Sequence, residues 1–291
     1  MRTVYHRASG KLLEEAEVGA GAMRFVYETS FGRLLAKGIL CRRFVSNLYA
    51  AWQKSPFSRS KVRKFIRRYD IDLRECTTQD FRNFNDFFTR KRARCEDFTK
   101  AAQLPAIADS KLTAAEIAAD TTLSVKGVPY TLGELLDNAA LAQEYAGGLC
   151  LIFRLSPDDY HRYAYPDSGV QEKTRYIPGV LHSVNPVAAA QRVYRRNARC
   201  YTVLHTAHFG DVLQMEVGAM LVGKIHNHRE DAGASFEKLA EKGYFAYGGS
   251  TVILLLKKNA VALDADILHY SKQDIECKVR TGEKIGSATT K

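Results

Sequence analysis

No pair of cysteines in this chain has the CxxC spacing. Cys41, Cys76, Cys95, Cys150, Cys200 and Cys277 stand far apart, which argues against a structural zinc site. No run approaches the ~20 apolar residues that a bilayer-crossing helix needs. Met1-Arg2-Thr3-Val4-Tyr5-His6-Arg7 has no long apolar segment after its charges, so no secretory signal is expected. Scattered thiols without such a signal point to a reducing, cytosolic compartment. Internal repeats and low-complexity tracts are absent too. Acidic residues are in deficit: Lys and Arg total 43 against 32 Asp and Glu, a net charge of +11. That surplus favours an anionic partner, whether nucleic acid, an acidic small molecule or an anionic membrane surface.

What is present is ordinary for a soluble globular protein. The chain has 291 residues, 46% hydrophobic and 26% charged, enough for one large domain or two smaller ones with a sizeable core. Residues 1–20 read as a peripheral strand or arm. Residues 21–100 read as helical and basic. Phe25, Leu34, Leu35, Ile39, Leu40, Phe44, Leu48 and Trp52 recur at helical spacing among Arg33, Lys37, Arg42, Arg43 and Lys54. Pro56 should break this segment. Ser58 to Tyr69 is a second basic amphipathic stretch, and Asp80 is a candidate helix cap. Such a basic face is either simply solvated or lies in the headgroup layer of an anionic membrane.

From about residue 105 short apolar runs alternate with turn residues: 122–125, 149–153, 201–204, 212–217 and 251–256. These predict a β-rich core. Leu132 to Leu141 and Ser235 to Lys242 read as short helices. The fold class expected is α+β, with a basic helical N-terminal part (1–100) on a mainly antiparallel β domain (101–291).

Gly248-Gly249-Ser250-Thr251, followed by Val252 to Leu256, is the most informative stretch. Two glycines let the backbone bend where a Cβ would clash. The β-forming run would hold the next hydroxyl at the mouth of a buried strand. Ser250 Oγ could there attack the carbonyl of Gly249, although Gly-Gly before an apolar run is also a common turn into a core strand. Asp109-Ser110-Lys111-Leu112 opens the β region. Asp109 could orient a histidine or merely close a turn. Leu155 to Tyr163 puts His161 among acids, Tyr160 and Arg162, and histidine is the side chain suited to shuttle protons near neutral pH. His205, His208, His226 and His228 lack acidic or cysteine ligands at convincing spacing, so no metal is expected.

Taken in order, these segments resemble the phosphatidylserine decarboxylases, a pyruvoyl-dependent membrane enzyme family. The resemblance rests on Asn85-Asp86-Phe87-Phe88-Thr89-Arg90-Lys91, Ala108-Asp109-Ser110-Lys111-Leu112, Ser156-Pro157-Asp158-Asp159-Tyr160-His161-Arg162, Ile177 to Pro186, Val217 to Gly223 and Gly248-Gly249-Ser250-Thr251. It covers the chain from about residue 80 to the end.

The resemblance implies a carboxy-lyase that makes its own cofactor. Ser250 would attack Gly249, and cleavage between them would leave a β chain of 1–249 and an α chain of 250–291. The new N-terminus would carry a pyruvoyl group made from Ser250. The product would be phosphatidylethanolamine and CO2. An Asp-His-Ser relay would serve cleavage, with Asp109 and Ser250 in two of its places. The family's motif often carries a second histidine three residues after the first, and here that position is Ala164. Either His161 does both jobs, or another base such as His182 takes one, or self-cleavage is impaired; the reading adopted is His161. Lys111, Arg162 and His182 are candidates for the substrate, phosphatidylserine in an anionic membrane. The expected location is peripheral, on the cytoplasmic face of the cell membrane. No nucleic acid is expected, and the oligomeric state is open. Two alternatives stand beside it: a non-catalytic basic module binding membrane or RNA, which accounts for the charge equally well, and a pyruvoyl decarboxylase of a soluble amino acid, against which the amphipathic N-terminal region argues.

Overall fold

The computed structural model describes residues 2–15, 21, 25–26, 28–29, 31–32, 43–93, 97, 99–125, 128–180, 193–218, 225–246 and 250–289. His182, Gly248 and Gly249 lie outside the described residues, as do 33–42 of the expected helical segment.

The chain begins with β1 (Arg2–His6) and β2 (Lys11–Glu15), then helices α1 (Arg43–Gln53), α2 (Arg59–Tyr69) and α3 (Phe84–Phe88). Next come β3 (Gln103–Pro105), β4 (Ser110–Glu116), β5 (Thr122–Val125), β6 (Val128–Thr131), α4 (Leu132–Leu136) and α5 (Ala139–Gln143). They lead to β7 (Leu149–Leu155), β8 (Arg162–Ala164), β9 (Gly169–Gln171), β10 (Arg175–Ile177) and α6 (Val193–Arg196). The last part holds β11 (Arg199–Thr206), β12 (Gly210–Val217), β13 (Ile225–Asn227), β14 (Ser235–Phe236), β15 (Glu241–Phe245) and β16 (Ser250–Leu256). It ends with β17 (Val261–Leu263), α7 (Ala265–Ser271), β18 (Glu276–Val279) and β19 (Lys284–Ala288).

Among the described residues the main sheet runs β14-β9-β11-β12-β16-β7-β4-β18-β1-β2, with β10 also on β11. Its pairs are antiparallel except β1 on β18. This is the α+β class expected. The arm at 2–15 is therefore part of the main sheet. β16 lies centrally between β12 and β7, and all seven of its residues are buried. Its β-branched and leucine side chains suit a strand covered on both faces.

Alternation along β16 divides two environments. Ser250 and Val252 share a face with Glu216 of β12, which stands opposite Val252. Against that face packs the small sheet β13-β15-β8. There Lys242 donates to Glu216 Oε1 (2.8 Å), both side chains fully buried, and Asn227 and Cys200 complete the cluster. On the other face Thr251, Arg154, Lys111 and Lys278 stand side by side on β16, β7, β4 and β18.

Three local expectations are corrected. The stretch 132–141 is two helices, because Asp137 turns left-handed (φ 50°) and Asn138 caps α5 through Leu141 N–H. Ser235 to Lys242 is not helical: Leu239 is left-handed (φ 60°), Phe236 stacks on Tyr165, and Lys242 is drawn into the core. Asn83, not Asp80, caps α3 by accepting from Asp86 N–H at 2.9 Å, while Asp80 pairs with Arg59.

Removing one member of the Lys242–Glu216 pair leaves a charge stranded in the core. Lys242→Met should destabilise the fold by about 3–5 kcal/mol, and adding Glu216→Leu should recover much of that. Denaturant unfolding of the two variants measures the difference.

Candidate active site

The register Ser250–Leu155 sets the first residue of β16 beside the exit of β7. The chain then makes a tight turn, Ser156-Pro157-Asp158-Asp159, closed by Asp159 N–H on the Ser156 carbonyl (2.9 Å). Proline at the second position and aspartates after it are the residues such a turn favours. Two residues on, His161 comes back to the strand end.

There His161 Nδ1 lies 3.3 Å from Ser250 Oγ, and Nε2 lies 3.0 Å from the Ser156 carbonyl oxygen. A carbonyl can only accept, so Nε2 carries the proton. In a neutral ring Nδ1 is then the acceptor, and the Ser250 hydroxyl donates to it. Burial, and next the positive charge of Arg90, push the His161 pKa well below its usual 6.5. Both His161 and Ser250 are fully buried. The pair is thus a neutral base facing a hydroxyl in a site closed to water.

The motif 84–92 holds this ring in place. Phe88 stacks on it with centroids 3.9 Å apart. Arg90 donates to the carbonyls of Asp158 (3.4 Å) and Asp159 (3.2 Å). Arg92 offers its backbone N–H to the Tyr160 hydroxyl (3.0 Å) and lays its guanidinium over the Tyr160 ring. From the other side Phe245 N–H donates to the His161 carbonyl (3.0 Å).

Asp109 does not complete a relay with them. Its carboxylate accepts from Arg92 (3.0 and 2.5 Å) and from the backbone and hydroxyl of Thr281 (2.9 and 2.8 Å), and it is not a hydrogen-bond partner of His161. Burial alone would raise its pKa, but Arg92 and Thr281 hold it below the usual carboxylate value. Its structural part is to fasten Arg92, which in turn braces Tyr160. The orienting acceptor that a carboxylate was expected to provide is a backbone carbonyl.

The two described candidates for lipid phosphate are already engaged. Lys111 is buried against Asp159 (3.0 and 3.1 Å), with Glu15 at 3.6 Å. Arg162 donates to Glu241 (2.6 Å) and to the carbonyls of Thr89 (2.7 Å) and Arg90 (3.0 Å). The surface histidines have local partners: His205 with Asp211, His208 with Asp167, His228 with Glu241 and His226 stacked on Tyr244. Arg92 and the Ser156 carbonyl were not singled out by sequence reasoning, and Phe88 and Arg90 stood there only within the Asn85–Lys91 motif, with no role assigned. The signal available was that motif, which sets aromatic and cationic residues side by side.

A strand-borne serine facing a neutral buried histidine defines a class of site fit for acyl transfer. The sequence model of the family described as "Phosphatidylserine decarboxylase" matches residues 84–287. The chain is 43% identical over 287 residues to "Phosphatidylserine decarboxylase proenzyme 2" of Clostridium acetobutylicum, covering 98% of each. It is 40% identical over 299 residues to a proenzyme of the same name, without the numeral, from Ruminiclostridium cellulolyticum, covering 100% of this chain and 99% of that one. A third, from Clostridium novyi, is 39% identical over 283 residues, or 94% of this chain and 95% of the relative. The chain belongs to the phosphatidylserine decarboxylase family.

The protonation state is directly measurable. In an uncleaved Ser250→Ala precursor, nitrogen NMR should show His161 still neutral, with its proton on Nε2, at its usual midpoint of pH 6.5. Titration of that ring at or above its usual 6.5 would contradict the site described. The sign for stability follows: as pH falls below 6.5 the unfolded chain binds a proton that the folded site refuses, so this position makes the fold weaker in acid.

Proposed function

We propose that this chain is the precursor of an enzyme that converts phosphatidylserine to phosphatidylethanolamine and CO2, and that Ser250 is the source of its pyruvoyl group. The observation that carries the reading is the Ser250 hydroxyl aimed at the free lone pair of a neutral His161.

The site fits such a group. Ser250 is fully buried and begins a central strand, so a group made there stays tethered. In self-cleavage, His161 Nδ1 takes the hydroxyl proton while Oγ attacks the Gly249 carbonyl carbon. The Gly249–Ser250 C–N bond breaks, the nitrogen gains the proton, and an ester links the two residues. Loss of the Ser250 Cα proton then expels the Gly249 carboxylate and leaves dehydroalanine. Addition of water and release of ammonia give the pyruvoyl end. Once formed, that group supplies an electron-withdrawing carbonyl beside the substrate's carboxylate. Around it Phe88 and Leu155 keep water out, which favours loss of a charged carboxylate. His161 is placed to return a proton to carbon.

The β chain (1–249) and the α chain (250–291) stay joined after the break. β16 is paired on both sides by strands of the β chain. Arg154 also binds Glu276 (2.8 and 2.5 Å) across the divide, and Arg7 binds Asp264 (2.9 Å) and Asp266 (2.7 Å).

The helical region presents the enzyme to its lipid. Val62, Phe65 and Ile66 turn inward against Phe81, Phe84, Phe87 and Phe88, leaving Arg59, Arg63, Lys64, Arg67 and Arg68 exposed on α2. Beside them Leu48, Trp52 and Phe57 are exposed, Phe57 at 86%. Apolar side chains next to a basic face suit the headgroup layer of an anionic membrane. Among the described residues no helix is long and apolar enough to cross a bilayer. The location expected is the cytoplasmic face of the cell membrane, peripherally bound.

Ser250→Ala should leave a single uncleaved chain with no lipid decarboxylation, read by intact mass and by CO2 release. Continued cleavage of that variant overturns the reading. His161→Gln should slow cleavage by about 10²–10⁴-fold, the usual worth of a general base. Phe57→Ser with Trp52→Ser should weaken binding to vesicles containing phosphatidylserine while leaving self-cleavage intact.

A further inference from the structure

The residue that would charge the relay in this chain is not the expected one. Asp159 Oδ2 accepts the Ser156 backbone N–H at 2.7 Å. The same Ser156 offers its carbonyl oxygen to His161 Nε2 at 3.0 Å and to Asp159 N–H at 2.9 Å. Asp159 is gripped in turn by Lys111 at 3.0 and 3.1 Å, their side chains 8% and 3% exposed. An unbroken run of contacts therefore leads from Lys111 through Asp159 and Ser156 to His161 and Ser250.

We propose that the Lys111–Asp159 ion pair is the positioning element of the self-cleavage relay, acting on His161 through Ser156 in the part expected of Asp109. The proposal rests on the reading that Ser250 and His161 carry out the cleavage.

Three physical arguments support it. First, an ionised Asp159 locks both ends of the Ser156 turn, and the carbonyl that fixes the His161 tautomer cannot then swing away. Second, Lys111 stands directly between two other cations, Arg154 on β7 and Lys278 on β18. Like charges facing across strands repel. Arg154 has Glu276, and Lys278 has Glu15 (3.0 Å). Asp159 is the acid hydrogen-bonded to Lys111 (3.0 and 3.1 Å), with Glu15, shared with Lys278, farther off at 3.6 Å. Third, the groups facing Asp159 are Lys111, the neighbouring Asp158, and Arg90, which holds the Asp159 carbonyl. Burial, opposed by Lys111, lifts the Asp159 carboxyl to about 6. It is thus ionised above about pH 6, while burial and Arg90 hold His161 well below its usual 6.5.

The pH dependence of self-cleavage separates this from a structural role. The full-length precursor is made by cell-free synthesis, and cleavage is timed on a denaturing gel from pH about 5 to about 8. The expected wild-type rate falls on the acid side near pH 6. Asp159→Asn keeps an acceptor for Ser156 N–H but cannot titrate. It should be about 10–100-fold slower at neutral pH, the usual cost of losing a group that orients a functional one, and the fall near pH 6 should vanish. Lys111→Met leaves the carboxylate without its counter-ion and should move the fall to higher pH. Asp109→Asn should leave the fall where the wild type has it.

An Asp159→Asn profile parallel to wild type overturns the proposal, as does a fall that moves with Asp109→Asn instead. If circular dichroism shows Asp159→Asn unfolded, Lys111→Met decides: an unmoved fall rejects the ion pair's role. Ser250→Ala runs beside them, since its cleavage would reject the underlying reading rather than this inference alone.

Discussion

The hydrogen bond from His161 Nε2 to the Ser156 carbonyl is the constraint on which the rest depends. It decides which ring nitrogen is free, and so whether Ser250 faces a base or an N–H. Around it the protein spends many residues on one turn. Phe88 covers the ring, Arg90 binds the carbonyls of Asp158 and Asp159, and Arg92 braces Tyr160 while Asp109 holds Arg92. A neutral imidazole costs little to bury, whereas an imidazolium there would meet Arg90 and Lys111 as well as the loss of water.

The same geometry links the surface to the chemistry. The basic helix α2 packs through Phe65 onto Phe84 and Phe87, and α3, which carries both, ends at Phe88 on the His161 ring. The segment proposed to meet the bilayer and the segment that holds the base share one small aromatic core. That core is distinct from the larger one around the central strands.

How much of this was legible in the sequence differs by residue. The apolar run after Ser250 and the β-rich texture beyond residue 105 reported the core strands, because alternation and burial leave a local trace. Ser250 and His161 were legible from residue type and motif. The pairing of Asp109 was not, because its partners Arg92 and Thr281 lie 17 and 172 residues away. Nor was the row Arg154, Lys111 and Lys278, which exists only once the strands are in register. Lys111 looked like a free cation in the chain and is a buried ion-pair partner in the fold. Helix ends were misread where one side chain decides them, as Asn83 and Asn138 do.

Ser250 and His161 are 89 residues apart in the chain, and they meet only where β16 lies between β7 and β12. An unfolded or half-folded polypeptide therefore holds no catalyst for its own scission. On the proposed function, breakage would record that the tertiary structure was completed, and immature copies would stay inert on the lipid without any separate inhibitor.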